Sequence, residues 1–184
     1  MIRHGGLALF VVIMAQLGLQ GCGYSTKSLL PEGVDRLAVD VFSNDTFYRE
    51  IEFSLTRELS AEIRHRSRVR LTRRNTADAV LQGRILRVHR PTVVENPADF
   101  VSEQAVIVTA EVTLKDLTTG KALDRFTLSN RAEFVVERGE SLQSAFAESL
   151  KDLAEDIVNR LQAQSFLVER GYTTPAPPLA RPPR

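Results

Sequence analysis

Hydrophobic and polar positions alternate first at the start of the main body of the chain. Leu37, Val39 and Val41 interleave with Arg36, Ala38 and Asp40, which predicts a strand with one face buried. The period then lengthens. Phe47, Ile51, Leu55, Leu59 and Ile63 recur every four residues, with Arg49, Glu50, Arg57, Glu58 and Glu62 opposite. This predicts an amphipathic helix of about five turns, entered through the N-cap residues of Ser43–Thr46. Arg68 and Arg70 alternate with Val69 and Leu71, a second strand with its arginines outward, and Asn75–Asp78 reads as a turn. Ala79–Val88 follows as a long strand in which Gly83 marks a bulge or a close contact. Pro91–Phe100 reads as a loop. Ser102–Leu117 is apolar on both faces, as in a central strand, and Leu117–Lys121 is a hairpin turn into the strand Ala122–Val136. Arg138–Ser141 ends the sheet and caps a second helix, whose apolar face is Leu142, Phe146, Leu150, Leu153, Ile157 and Leu161.

The order strand, helix, strand, three-stranded meander, helix predicts a two-layer α/β (α+β) sandwich. Two apolar helix faces and one sheet place both helices on one face of a mixed four- to five-stranded sheet, over residues 34–171. The opposite sheet face is expected to be partly apolar, hence a candidate binding surface. The tail 172–184 contains Pro175, Pro177, Pro178, Pro182 and Pro183 and is expected to be extended and disordered.

The N-terminal residues change the picture from a domain to an anchored domain. Arg3 precedes an apolar run from Leu7 to Leu19, followed by Gln20, Gly21 and Cys22, the one cysteine of the chain. A basic start, an apolar middle and a small residue before the cut are the parts of a secretory signal peptide. Leu19-Gln20-Gly21-Cys22 resembles a bacterial lipobox, which implies removal of residues 1–21 and S-diacylglycerol and N-acyl groups on Cys22. The competing readings are a plain signal peptide that leaves a free thiol and a transmembrane anchor. The latter needs ~20 predominantly apolar residues, more than this interrupted run offers. Two or more acyl chains hold a protein on a membrane where one is marginal. Gly23, in place of an aspartate, points to the outer membrane. Residues 22–33 form a lipidated tether, spanning at most ~3.3–3.6 Å per residue.

Charge and composition exclude more than they assign. The formal net charge is +1, and the leader carries Arg3 and no acid, so the remainder is neutral and offers no electrostatic case for nucleic acid. The absence of Trp argues against a sugar- or base-stacking platform. His65 and His89 lack partners at metal-ligand spacing, and no nucleophile elbow, zincin helix or phosphate-binding glycine loop occurs. The expectation is a protein that is not an enzyme, with no metal and no cofactor beyond the covalent lipid. One stretch stands out. Residues 64–74 hold six arginines, His65 and no acid. Arg68 and Arg70 read either as an edge strand protected by charge or as contacts for phosphates and anionic headgroups.

Four segments together resemble the lipopolysaccharide-assembly lipoprotein family LptE. They are Cys22-Gly23-Tyr24, Leu29–Val34, Leu37–Thr46 and Leu81–Ile85. The resemblance covers residues 22–161 and implies two helices on a mixed four-stranded sheet. It also implies a role as plug and assembly partner of the outer-membrane β-barrel LptD, binding lipopolysaccharide in transit on the periplasmic side. Family lipopolysaccharide binding is attributed to basic residues near loops at one end of the sheet. The loop 91–100 carries Glu95 and Asp99 and no base, so Arg90 beside it and Arg131 in the last strand are the nearest candidates, alongside Arg68 and Arg70. The alternative is an auxiliary or substrate-binding lipoprotein of an envelope transporter.

Overall fold

The computed structural model describes residue 30 and residues 34–95, 101–135 and 138–169. The leader, Cys22, most of the tether, the tip of the 91–100 loop and the proline-rich tail lie outside the described residues. The elements are β1 (Arg36–Val39), β2 (Ser43–Asn44), α1 (Ile51–Arg66), β3 (Arg70–Leu71), a 3-10 turn (Arg74–Thr76), β4 (Ala79–His89), β5 (Thr92–Glu95), β6 (Val101–Asp116), β7 (Ala122–Val135) and α2 (Leu142–Glu169). Two helices pack against a mixed, curled sheet, as the alternation and the two apolar helix faces require.

Seven strands form five ribbons. β1 and β2 lie in succession along one edge of β4, pairing in parallel at Ala79–Leu81 and at Arg84–Ile85. β4 and β5 lie in succession along β6, both antiparallel, and β7 lines the other edge of β6 antiparallel. β3 pairs in parallel with β1 at the far side. The expected loop Pro91–Phe100 therefore begins as a strand, because Thr92–Glu95 continues the antiparallel ladder after the break at Arg90–Pro91.

Two features lie elsewhere than the pattern predicts. The first helix begins at Ile51, not after Thr46. Ser43 and Asn44 are held by β4, and the Asn44 side chain organises the turn that follows. Its Oδ1 accepts from the Thr46 N–H at 2.9 Å, and its Nδ2 donates to the Tyr48 carbonyl at 2.6 Å and to Glu52 Oε2 at 2.7 Å. Local side-chain bonds of this kind compete with helix formation. Phe47, expected on the buried helix face, is consequently fully exposed. Of the bulge or close contact expected at Gly83, the structure shows the close contact there, and the bulge lies between Ile85 and Arg87. One extra residue there resets the alternation, so that Ile85 and Val88 both face the helices while Arg84 and Arg87 face away.

The core sits between helices and sheet. Leu55, Leu59 and Ile63 of α1 and Leu153 and Ile157 of α2 are fully buried against Leu37, Leu81, Ile85, Val108 and Val112. The helices run parallel: the start of α1 lies beside that of α2, with the Tyr48 and Phe146 ring centroids 4.9 Å apart. At the other end Arg66 donates to Asn159 Oδ1 at 2.7 Å and meets Glu155 at 3.4 Å. Ser141 caps α2 by accepting the Ser144 N–H at 3.1 Å, as the sequence predicts. In the β6–β7 turn, Asp116 Oδ1 accepts from the Thr118 and Thr119 N–H groups, and Gly120 takes a positive φ.

Candidate functional site

The sheet face turned away from the helices is built row by row from the register. Gln82, Thr113 and Arg125 form one row; Arg84, Glu111 and Thr127 the next; then Arg87, Thr109 and Ser129; then His89, Ile107 and Arg131. This face is partly apolar, as expected: Ile107 stands in these rows, and the register adds Ala38, Val80 and Ala105. Most large apolar side chains of β6 and β7 are on the helix side, and the other outward positions of β4 and β7 carry mainly arginines and hydroxyls. The rows bond to each other. Thr109 Oγ1 and Ser129 Oγ are 2.8 Å apart, and Arg125 Nε donates to Thr113 Oγ1 at 3.3 Å. Arg84 lies 3.7 Å from Glu111 and 3.5 Å from Asp45.

The four arginines singled out by sequence do not form one site. Arg131 sits on the open face and pairs with Glu133, its Nη2 at 2.6 Å from the carboxylate. Arg90, at the end of β4, donates through Nη2 to Gln104 Oε1 at 3.1 Å. These two share the sheet end where β4 gives way to β5. Arg70 lies at the opposite end, on β3 and in register with Arg36 of β1, and Arg68 precedes it. Both are exposed.

The basic stretch 64–74 divides into two groups. Arg66 is used structurally, bridging to Glu62 as well as to Glu155 and Asn159, and Arg74 pairs with Asp40. Arg64, Arg68, Arg70 and Arg73 make no ion pair with any described residue. This distinction is invisible in sequence, where all six look alike.

The neighbouring edge is pinned by Arg36 and Asp78. The Asp78 carboxylate accepts from the Arg36 guanidinium at 2.6 Å and from the backbone N–H groups of Arg36 at 2.9 Å and Asp35 at 3.2 Å. The guanidinium, followed by the backbone donors, lowers the Asp78 pKa to about 2, and the carboxylate in turn raises that of Arg36. The arrangement is a structural clamp between the starts of β1 and β4, with no nucleophile or acid–base partner beside it.

Among the described residues there is no group of histidine, cysteine or carboxylate side chains able to hold a metal, and no helix long and apolar enough to cross a membrane.

The family model for lipopolysaccharide-assembly LptE matches residues 34–164. No curated protein matches by sequence. Among solved structures, rare lipoprotein B from Shewanella oneidensis superposes with a TM-score of 0.52 at 18% identity, covering 73% of this chain and 98% of that one. An uncharacterised lipoprotein B from Nitrosomonas europaea gives a TM-score of 0.51 at 14% identity, covering 76% and 90%. A hypothetical protein from Chlamydia trachomatis gives 0.52 at 12% identity, covering 71% and 96%. These likenesses establish a shared fold.

Proposed function

Since this chain belongs to the lipopolysaccharide-assembly LptE family, we propose that it is an outer-membrane lipoprotein that plugs and helps assemble the LptD β-barrel and binds lipopolysaccharide on its way to the cell surface. The observation that carries this reading is the family match, which spans residues 34–164 and so takes in every strand, α1 and most of α2. Membership makes the chain an assembly component, not an enzyme. The arginines and Glu111 of the open sheet face suit a water-filled barrel interior better than a lipid tail, because they reach solvent and Arg84 is paired with Glu111 and Arg125 with Thr113.

The anchor of this proposal is Cys22, acylated after removal of residues 1–21. The twelve residues 22–33 reach at most roughly 40 Å, which keeps the domain close to the membrane on the periplasmic side. Arg90 and Arg131 at one end of the sheet, and Arg68 and Arg70 at the other, are the guanidiniums offered to lipopolysaccharide phosphates. Arg131 would first have to release Glu133.

The test is recovery of the tagged full-length chain from detergent-solubilised outer membranes, with its companions identified by mass spectrometry. A large β-barrel recovered in stoichiometric amount is the expected result. A chain that emerges alone, or with an inner-membrane ATPase, overturns the reading.

A further inference from the structure

Beside β3 lies an open crevice of about 560 Å³ that the assembly role above does not use. Its walls come from two directions. Ser60 and Arg64 stand one turn apart on α1, so they share a face. Thr72, Arg73, Asn75 and Thr76 come from the end of β3 and the 3-10 turn after it. The floor is apolar, formed by Val39 and Leu71, which pack on the main core.

Three features make this crevice receptive to a compact anion. Neither Arg64 nor Arg73 has a carboxylate partner among the described residues, and no lining residue is acidic. Asp40, the acid just after β1, is taken by Arg74, which leaves the Arg73 charge uncompensated. The turn is also preset: Thr72 Oγ1 and Thr76 Oγ1 lie 2.6 Å apart, Thr76 donates its N–H to the Arg73 carbonyl at 3.0 Å, and its hydroxyl does so at 3.1 Å. Hydroxyls and guanidiniums are thus held together without any ligand.

One effect opposes an anion here. The C-terminal end of α1 exposes carbonyl oxygens, and the helix dipole is negative there. The Ile63 carbonyl is occupied, however, by the N–H of Ser67 at 3.0 Å and its hydroxyl at 2.7 Å, and two full guanidinium charges outweigh a half charge of opposite sign.

We propose that this crevice binds a phosphate group, with Arg64 and Arg73 as the charged clamp and the Thr72 hydroxyl as a neutral donor once it releases Thr76 Oγ1. Guanidinium pairs match phosphate oxygens in a planar, two-pronged geometry that a hydrated lysine cannot copy. The phosphate belongs either to a lipid headgroup or to a small soluble ion. The apolar floor and the position beside β1, into which the tether leads, favour a headgroup. The proposal is independent of the barrel partnership.

The experiment compares the full-length protein in detergent with Arg64→Gln/Arg73→Gln, and with Arg87→Gln/Arg125→Gln as a control that removes the same charge from the open sheet face. One arm titrates inorganic phosphate while following the backbone amide signals of Thr72, Asn75 and Thr76. The other measures flotation of the same pairs in a detergent-free Cys22→Ser background, which lacks the acyl anchor, with phosphatidylcholine vesicles, with and without phosphatidylglycerol. The crevice pair should weaken phosphate or anionic-vesicle binding about tenfold, and the control pair less than about twofold. Phosphate-dependent amide shifts assign the site to phosphate as such; vesicle binding alone assigns it to a headgroup. Equal losses in both pairs would mean diffuse surface charge and overturn the proposal. Absence of both amide shifts and anionic-vesicle binding with all arginines intact overturns it without recourse to any arginine variant.

Discussion

Gly83 of β4 lies directly against the ring of Phe42, and a Cβ placed on it would stand 2.3 Å from Phe42 Cε1 and 2.7 Å from the Glu111 carbonyl oxygen. The glycine is there because two neighbours occupy the space of a side chain. Phe42 is itself almost completely buried, with its backbone N–H donating to Thr56 Oγ1 at 3.2 Å. This contact ties the link between β1 and β2 to the middle of the sheet.

Gly83→Ala should therefore destabilise the fold by about 1–3 kcal/mol through overpacking, and Gly83→Val by more. Chemical denaturation reads the loss. Phe42→Leu in the Gly83→Ala background should recover part of it, a non-additivity expected only for residues in contact. A Gly83→Ala protein as stable as the parent would show that the ring swings aside at no cost.

Glu50 precedes α1 with a φ of 71° and no side-chain capping bond, the single described residue other than glycine with positive φ. A non-glycine residue in this region carries a strain of about 1 kcal/mol. Glu50→Gly should leave stability unchanged or raise it by up to about 1 kcal/mol, because the lost strain offsets the added freedom of the unfolded chain. A clear loss of stability would assign the Glu50 side chain a contact the geometry does not contain.

Asp78 has its pKa lowered to about 2 in the folded protein, from 3.8. A depressed carboxylate pKa contributes stability at pH values above the unfolded pKa, and that contribution is lost as pH falls toward the folded one. The window is thus from about pH 3.8 down to about 2. In acid titrations of thermal stability, Asp78→Asn should start lower at neutral pH and fall less steeply through this window. Parallel acid limbs for both proteins would remove the clamp from the account.

Acylation of Cys22 predicts a change of compartment. Cys22→Ser, produced in excess over any barrel partner, should move the chain from the membrane pellet to the soluble fraction of spheroplast washes, with the folded domain intact by protease resistance. Two or more acyl chains account for stable attachment, so their loss should be close to complete. Retention in the membrane would mean that protein contacts, not lipid, hold the domain there.

Periodicity was sufficient for the elements themselves. The four-residue repeat Ile51–Ile63, the alternation through β6 and the three- and four-residue steps of α2 place the buried side chains where they are found, because burial of one face is what selects such patterns. The two-layer arrangement and the family resemblance follow from the same residues, as does the absence of catalytic motifs.

Tertiary structure decided what depends on pairing between distant segments. Whether Ser43–Asn44 is a helix cap or a strand is settled by β4 and not by its own sequence, and Phe47 is exposed as a result. The bulge after Ile85 exists because the β6 register demands it, while Gly83 answers to Phe42. The same holds for the arginines. Sequence shows six between residues 64 and 74, all alike in charge. Only the fold brings carboxylates to Arg66 and Arg74 and leaves Arg64 and Arg73 facing one crevice, since the partners come from segments remote in the chain, such as Asp40 and Glu155.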